Sequence, residues 1–152
     1  MPRTITGLDE LRAACGQELG VSSWHEVTQE RIDAFAEATG DRYWLHVDPE
    51  RARESEMGGT IAHGLYTLSR EPAFRYELVT FEELGRLSVN YGYNRVRFPA
   101  PLPAGSRIRM RSTLREVREL EGGAQITLLQ TIEREGEERP VCVAEVVIRF
   151  VP

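Results

Sequence analysis

The sequence contains no lysine: all 19 of its basic residues are arginine. Without a lysine amine, Schiff-base chemistry and phosphate-loop phosphoryl transfer are both excluded. The simplest reading of the Arg-only usage is a GC-rich genome. Cysteine is scarce as well, with Cys15 and Cys142 too few for a disulfide framework. Neither has a CxxC partner, and alternation puts Cys142 on a core face, so a thiol nucleophile is not expected. No apolar run approaches the roughly 18 residues a membrane helix needs, and no membrane partner is expected. The opening MPRTITGLDELRAACG is broken by Asp9, Glu10 and Arg12 and lacks the apolar centre of a secretory signal, so a reduced cytoplasm is the expected location. The formal net charge of −5 argues against a general nucleic-acid binder, which needs a basic footprint.

What is present fits one domain over residues 1–152, with 41% hydrophobic residues to build its core. Charge is unevenly spread. Residues 86–118 carry eight Arg against Glu116 alone, inside an otherwise acidic chain. Such a segment suits an anionic small ligand, or equally a solvated strand face whose Arg pair with acids from elsewhere.

Periodicity divides the chain into helices first and strands second. Leu8, Leu11, Cys15 and Leu19 form one stripe of a helix from Leu8 to Leu19 that Gly20 stops, and a short strand follows near Ser23–Val27. Thr28 can cap the next helix, Val27 and Ile32 stand at hydrophobic-staple positions, and Gly40 is a left-handed stop. Residues 41–47 (DRYWLHV) follow neither period and read as a loop held by aromatics. Asp48-Pro49 starts a short helix that Gly58-Gly59 breaks. A longer helix is expected from about Ile61, kinked or split by Pro72. From Arg86 the period becomes two, with turns at Glu121-Gly122-Gly123 and Glu135-Gly136-Glu137. Helices followed by an antiparallel sheet make an α+β fold, and a sheet around one long helix is the hot-dog arrangement. An open sheet edge favours pairing of two copies, so a homodimer is expected.

Few residues can carry chemistry. His25, beside Trp24, has no acidic neighbour on its own face and reads as structural. No two of His25, His46 and His63 have ligand spacing, so no metal is expected. Asp41 and His46, five residues apart, can converge on one water as an acid–base pair, with Tyr43, Trp44 and Leu45 as apolar bulk between them. That bulk can exclude bulk water and raise the Asp41 pKa; the alternative is a helix-ending Asp41 and a packed His46. GGTIAHG (58–64) can present free N–H groups at a helix start to a carbonyl gaining negative charge, or can simply pack closely against a strand.

TGDRYWLHVDPERA (39–52), GGTIAHGLYTLS (58–69) and NYGYNRVRFPAPLPAGS (90–106) together resemble the MaoC-like hydratase/dehydratase family, nearest the nodulation protein N subgroup. The resemblance covers nearly the whole chain. It implies a hot-dog homodimer that hydrates trans-2-enoyl-CoA to (R)-3-hydroxyacyl-CoA, or the reverse, with no cofactor beyond the coenzyme A thioester substrate. Carried over by position, it makes Asp41 and His46 catalytic and the Gly64 N–H the donor to the thioester oxygen. Thr60 and Tyr66 are then substrate-binding residues, and Asn94, Arg95 and Arg97 contact CoA. The family signature Asp-x-Asn-Pro-aliphatic-His departs here to Asp41-Arg42-Tyr43-Trp44-Leu45-His46, which keeps the spacing and changes the pocket wall. A hot-dog thioesterase and a non-catalytic acyl-CoA-binding protein are the alternatives.

Overall fold

The computed structural model describes residues 1–152. Strand β1 (Arg3–Thr6) leads into helix α1 (Gly7–Ala13), strand β2 (Glu18–Val21) and the two-residue strand β3 (His25–Glu26). Helix α2 (Gln29–Thr39) precedes the single turns α3 (Trp44–Val47) and α4 (Pro49–Arg53). Helices α5 (Gly64–Ser69) and α6 (Glu71–Leu78) run into strand β4 (Val79–Glu82). Four long strands complete the chain: β5 (Leu87–Arg97), β6 (Arg107–Leu120), β7 (Gly123–Arg134) and β8 (Cys142–Val151). The main sheet is antiparallel in the order β2-β6-β7-β8-β5, with β3 on the end of β6.

Alternation explains how this sheet makes a core. Ile108, Met110 and Leu114 of β6, Ile126, Leu128 and Ile132 of β7, and Ala144, Val146, Ile148 and Phe150 of β8 are all buried. They face Leu68, Phe74 and Leu78 of α5 and α6 within one apolar cluster. Burying each large side chain contributes about 1.5–3 kcal/mol before entropy is counted. A bulge between Leu114 and Glu116 shifts the inward phase, so Val117 rather than Glu116 packs on the core. Cys142 lies on the inward face, where burial pushes its thiol up to about 12.

This is the hot-dog α+β fold, with local departures from the sequence pattern. The first helix ends at Ala13, not Leu19. Gly16 turns left-handed (φ 83°) and donates its N–H to the Leu114 carbonyl, which delivers Leu19 and Gly20 into β2. The central helix starts at Gly64 because Ile61 is bridged to Pro103, and it is split at Arg70, where Pro72 enters the first turn of α6. Residues 44–47 form a helical turn inside the expected loop. The parallel pair β1·β4 has too few residues to show a period. By contrast α2 is as expected: Thr28 accepts from the Arg31 N–H, and Gly40 is left-handed (φ 81°).

Part of the basic segment pairs with acids from elsewhere in the chain. Arg107 pairs with Glu135, Arg109 with Glu133, and Arg111 with Glu133 and Glu18. Partial burial works to raise the Glu133 carboxyl, but hydrogen bonds and charge from Arg109 and Arg111 outweigh it and hold the group below the usual carboxylate range. Arg95, Arg97 and Arg115 instead line a hollow of about 430 Å³ with Pro99, Leu129, Val143 and Glu145.

Candidate active site

Asp41 and His46 are placed by what surrounds a five-residue connection. Gly40 ends α2, and the next residues turn back at once. The Asp41 carboxylate accepts the Tyr43 N–H at 3.3 Å, the His46 N–H bonds the Tyr43 carbonyl at 2.9 Å, and α3 then runs into Asp48, which caps α4. This short turn is docked on an extended segment, residues 60–62. Ile61 donates its N–H to the Leu45 carbonyl at 3.1 Å, while its own carbonyl accepts from His46 Nδ1 at 2.7 Å. On the far side Ala62 and Ala104 bond the chain at Leu102 and Thr60, so the segment is clamped between α3 and the strand connection.

The clamp decides the tautomer of His46. A carbonyl can only accept, so Nδ1 carries the hydrogen, and in the neutral ring the lone pair is on Nε2. The carboxylate of Asp41 and one imidazole nitrogen from each of His46 and His63 lie within 4.8 Å of one another. Asp41 is exposed and Tyr43 is 54% exposed, so the aromatic bulk between Asp41 and His46 does not close the pair off within one chain. The His46 and His63 rings are stacked, with centroids 3.9 Å and planes 29° apart. Imidazole lone pairs lie in the ring plane, so two near-parallel rings aim poorly at a common ion.

Two residues of this site carry no recognisable spacing in the sequence. Gln29, in the first turn of α2, donates Nε2–H to the His46 carbonyl at 2.7 Å and to Asp33 at 2.9 Å, while its Oε1 accepts the Thr60 hydroxyl. Thr60 therefore spends its hydroxyl hydrogen on the frame that holds His46. His63 is buried and bonds the Asp41 carbonyl at 2.9 Å through Nε2. Only its place in the AHG run of residues 62–64 hints at a role.

Gly64 opens α5, and a side chain there has no room: a Cβ would stand 2.8 Å from the Phe98 ring. The glycine brings Phe98 against the helix start. An apolar hollow of about 320 Å³ adjoins it, lined in part by Met57, Ile61, Phe98, Leu102 and Val141. Tyr66, on the first turn of α5, is buried edge-to-face on Phe35; burial raises its hydroxyl pKa against the opposing charges of Arg70 and Arg31. Asn94, Arg95 and Arg97 lie apart from this cluster on β5, all exposed. Asn94 is the extra residue of a bulge between Tyr93 and Arg95, which takes it out of the ladder with β8. Pro99 borders both the Arg95/Arg97 hollow and the Gly64 hollow, so the two stand on either side of one short connection.

His25 has an acidic partner that the sequence concealed. Glu77 of α6 bonds its Nε2, and Arg70 approaches Nδ1 at 3.2 Å.

Comparison with known proteins fits this geometry. Residues 10–134 match the model of the MaoC like domain. The chain is 47% identical over 150 residues to 3-hydroxyacyl-thioester dehydratase Z of Mycobacterium tuberculosis, covering 98% of this chain and 99% of that protein. It is 42% identical over 149 residues to nodulation protein N of Rhizobium leguminosarum bv. viciae, covering 95% and 92%. The solved (R)-hydratase from A. caviae involved in PHA biosynthesis shares the fold, with a TM-score of 0.72 at 21% identity over 91% of this chain and 96% of that one. No helix of the protein is long and apolar enough to cross a membrane. The family match spans most of the chain and contains Asp41, His46, the clamp and the start of α5, and the chain belongs to the MaoC-like dehydratase family.

Proposed function

We propose that this member of a hydro-lyase family interconverts trans-2-enoyl-CoA and (R)-3-hydroxyacyl-CoA, with Asp41 and His46 as the reacting pair. The observation that carries the reading is the fixed tautomer of His46: Nδ1–H is committed to Ile61, so Nε2 is left as a base beside the Asp41 carboxylate. In the hydration direction, a water held between the two gives up one proton as its oxygen bonds C3 of the enoyl group. The pair returns that proton to C2, so one water is added and nothing else is consumed. Charge gathering on the thioester oxygen is met by the Gly64 N–H, which has no intrahelical acceptor at a helix start. Ile61 and Phe98 wall the substrate on that side, with Thr60 and Tyr66 buried behind them. Across Pro99, Asn94, Arg95 and Arg97 take the CoA phosphates, and Arg115 joins them from β6.

The working form is a homodimer. The free edge of β5 carries exposed Leu87, Val89, Tyr91 and Tyr93, and the strand pairs only with β8. An unpaired apolar edge of this length is a template for a second copy. The partner also supplies the cover that exposed Asp41 and Tyr43 lack.

The variants Asp41→Asn and His46→Gln test the pair, with trans-2-butenoyl-CoA as substrate. Each is expected to lower turnover by ~10² or more while the molecule stays folded. Full turnover in either variant contradicts the assignment.

A further inference from the structure

His63 has a buried nitrogen with nothing to bond. The residue is 3% exposed, and its Nδ1 lacks any hydrogen-bond partner. An unpaired buried acceptor costs about 1–3 kcal/mol, so the histidine needs a reason to be there. Helix capping is not that reason. His63 stands at the N-cap of α5, yet its side chain makes no cap bond, and Asn, Ser or Asp would serve that position better.

What His63 does contact is the acid–base pair. Nε2 donates to the Asp41 carbonyl at 2.9 Å, and one ring face lies on His46 at 3.9 Å between centroids. Phe35 supports the ring from α2, at 4.9 Å and tilted by 58°. We infer that His63 is a positioning residue for the reaction: one rigid, planar side chain that fixes both the backbone of Asp41 and the plane of the His46 ring. The inference rests on Asp41 and His46 being the reacting pair.

Nε2–H is committed to the Asp41 carbonyl, and Nδ1 is sealed from water without a hydrogen-bond partner, so the ring is held by its one hydrogen bond and by its faces. Joining both contacts in one planar group also couples them, so Asp41 and the His46 ring cannot drift independently.

Two substitutions separate the contacts. His63→Gln keeps a donor where Nε2 stands and loses the flat face. His63→Phe keeps the face, loses the donor and removes the unpaired nitrogen. Purified variants are compared with wild type for kcat and KM on trans-2-butenoyl-CoA and for thermal midpoint. The expected result is a fall in kcat of about tenfold or more in both, because small misplacements of reacting groups are costly. KM should stay within about twofold, since the loss falls on the chemical step. The Phe variant should melt no lower than the Gln variant despite its lost turnover. Wild-type kcat in either variant overturns the inference, as does a loss confined to KM or one explained by unfolding. Inactivity of the wild-type protein overturns the reading of the pair and this inference with it. An active wild type with unaffected variants overturns the inference alone.

Discussion

Replacing Gln29 with Met tests how His46 is held. The two side chains have similar length, so the change removes hydrogen bonds with little change of volume. The bonds lost are the acceptor for the Thr60 hydroxyl, the donor to the His46 carbonyl at 2.7 Å and an exposed donor to Asp33 at 2.9 Å that water replaces. Their costs differ. Thr60 is 7% exposed, so its hydroxyl is left without a partner, at about 1–3 kcal/mol. His46 is half-buried, and water can partly replace the bond at its carbonyl. The Thr60 end therefore dominates stability, while the His46 end governs activity. At roughly 2–4 °C per kcal/mol for a chain of this size, the thermal midpoint should fall by roughly 2–12 °C. The His46 ring keeps its bond to Ile61 but loses one of its backbone anchors, and turnover should fall about tenfold. Thr60→Val supplies the control, since it spares the donor to His46: comparable destabilisation with most of the turnover retained. Because Gln29 bridges the two groups, the double variant should be less unstable than the sum of the singles by about 0.5–3 kcal/mol. Denaturant unfolding and steady-state hydration kinetics measure both quantities. Additive stabilities together with unchanged turnover in Gln29→Met would refute the bridge.

Other regions give separate tests. Replacing Arg95 and Arg97 together with Gln should raise KM for a CoA thioester and flatten its dependence on salt, with kcat little changed, because phosphate contacts are screened; an unaltered KM would remove these residues from the CoA site. A thiol reagent at pH 8 should modify one cysteine per folded chain and two after denaturation, since Cys15 is exposed and Cys142 is buried with its thiol pushed up to about 12. Rapid labelling of both in the folded protein would contradict the packing of β8. The carboxyl of Glu133 lies below its ordinary value in the folded state, so it stabilises the fold above the unfolded-state value near pH 4 and loses that contribution as pH falls through the lower folded value. The stability gap between wild type and Glu133→Gln should accordingly be constant near neutrality and close in acid. A gap that widens toward low pH has the wrong sign for this account.

Elements governed by local chemistry were legible from the sequence. Thr28 and Gly40 bound α2, Asp48 and Pro49 start α4, and the turns at residues 121–123 and 135–137 separate long alternating strands. Elements that depend on a remote partner were not. The β1·β4 pair joins residues far apart in the chain, and the early end of α1 depends on Gly16 bonding Leu114 of β6. The candidate site divides in the same way. Asp41, His46 and Gly64 stand in contiguous motifs. Gln29 reaches His46 across 17 positions and His63 reaches Asp41 across 22, distances at which no spacing rule operates. His25 shows the same limit, since its acid, Glu77, is 52 positions away.

The most direct measurement is product analysis of the wild-type protein with trans-2-butenoyl-CoA. Loss of the conjugated enoyl absorbance, no free CoA thiol, and 3-hydroxybutanoyl-CoA of R configuration is the predicted outcome. Thiol release with the double bond intact would make the protein a thioesterase and contradict the account. Saturable binding with no chemical change would contradict it as well.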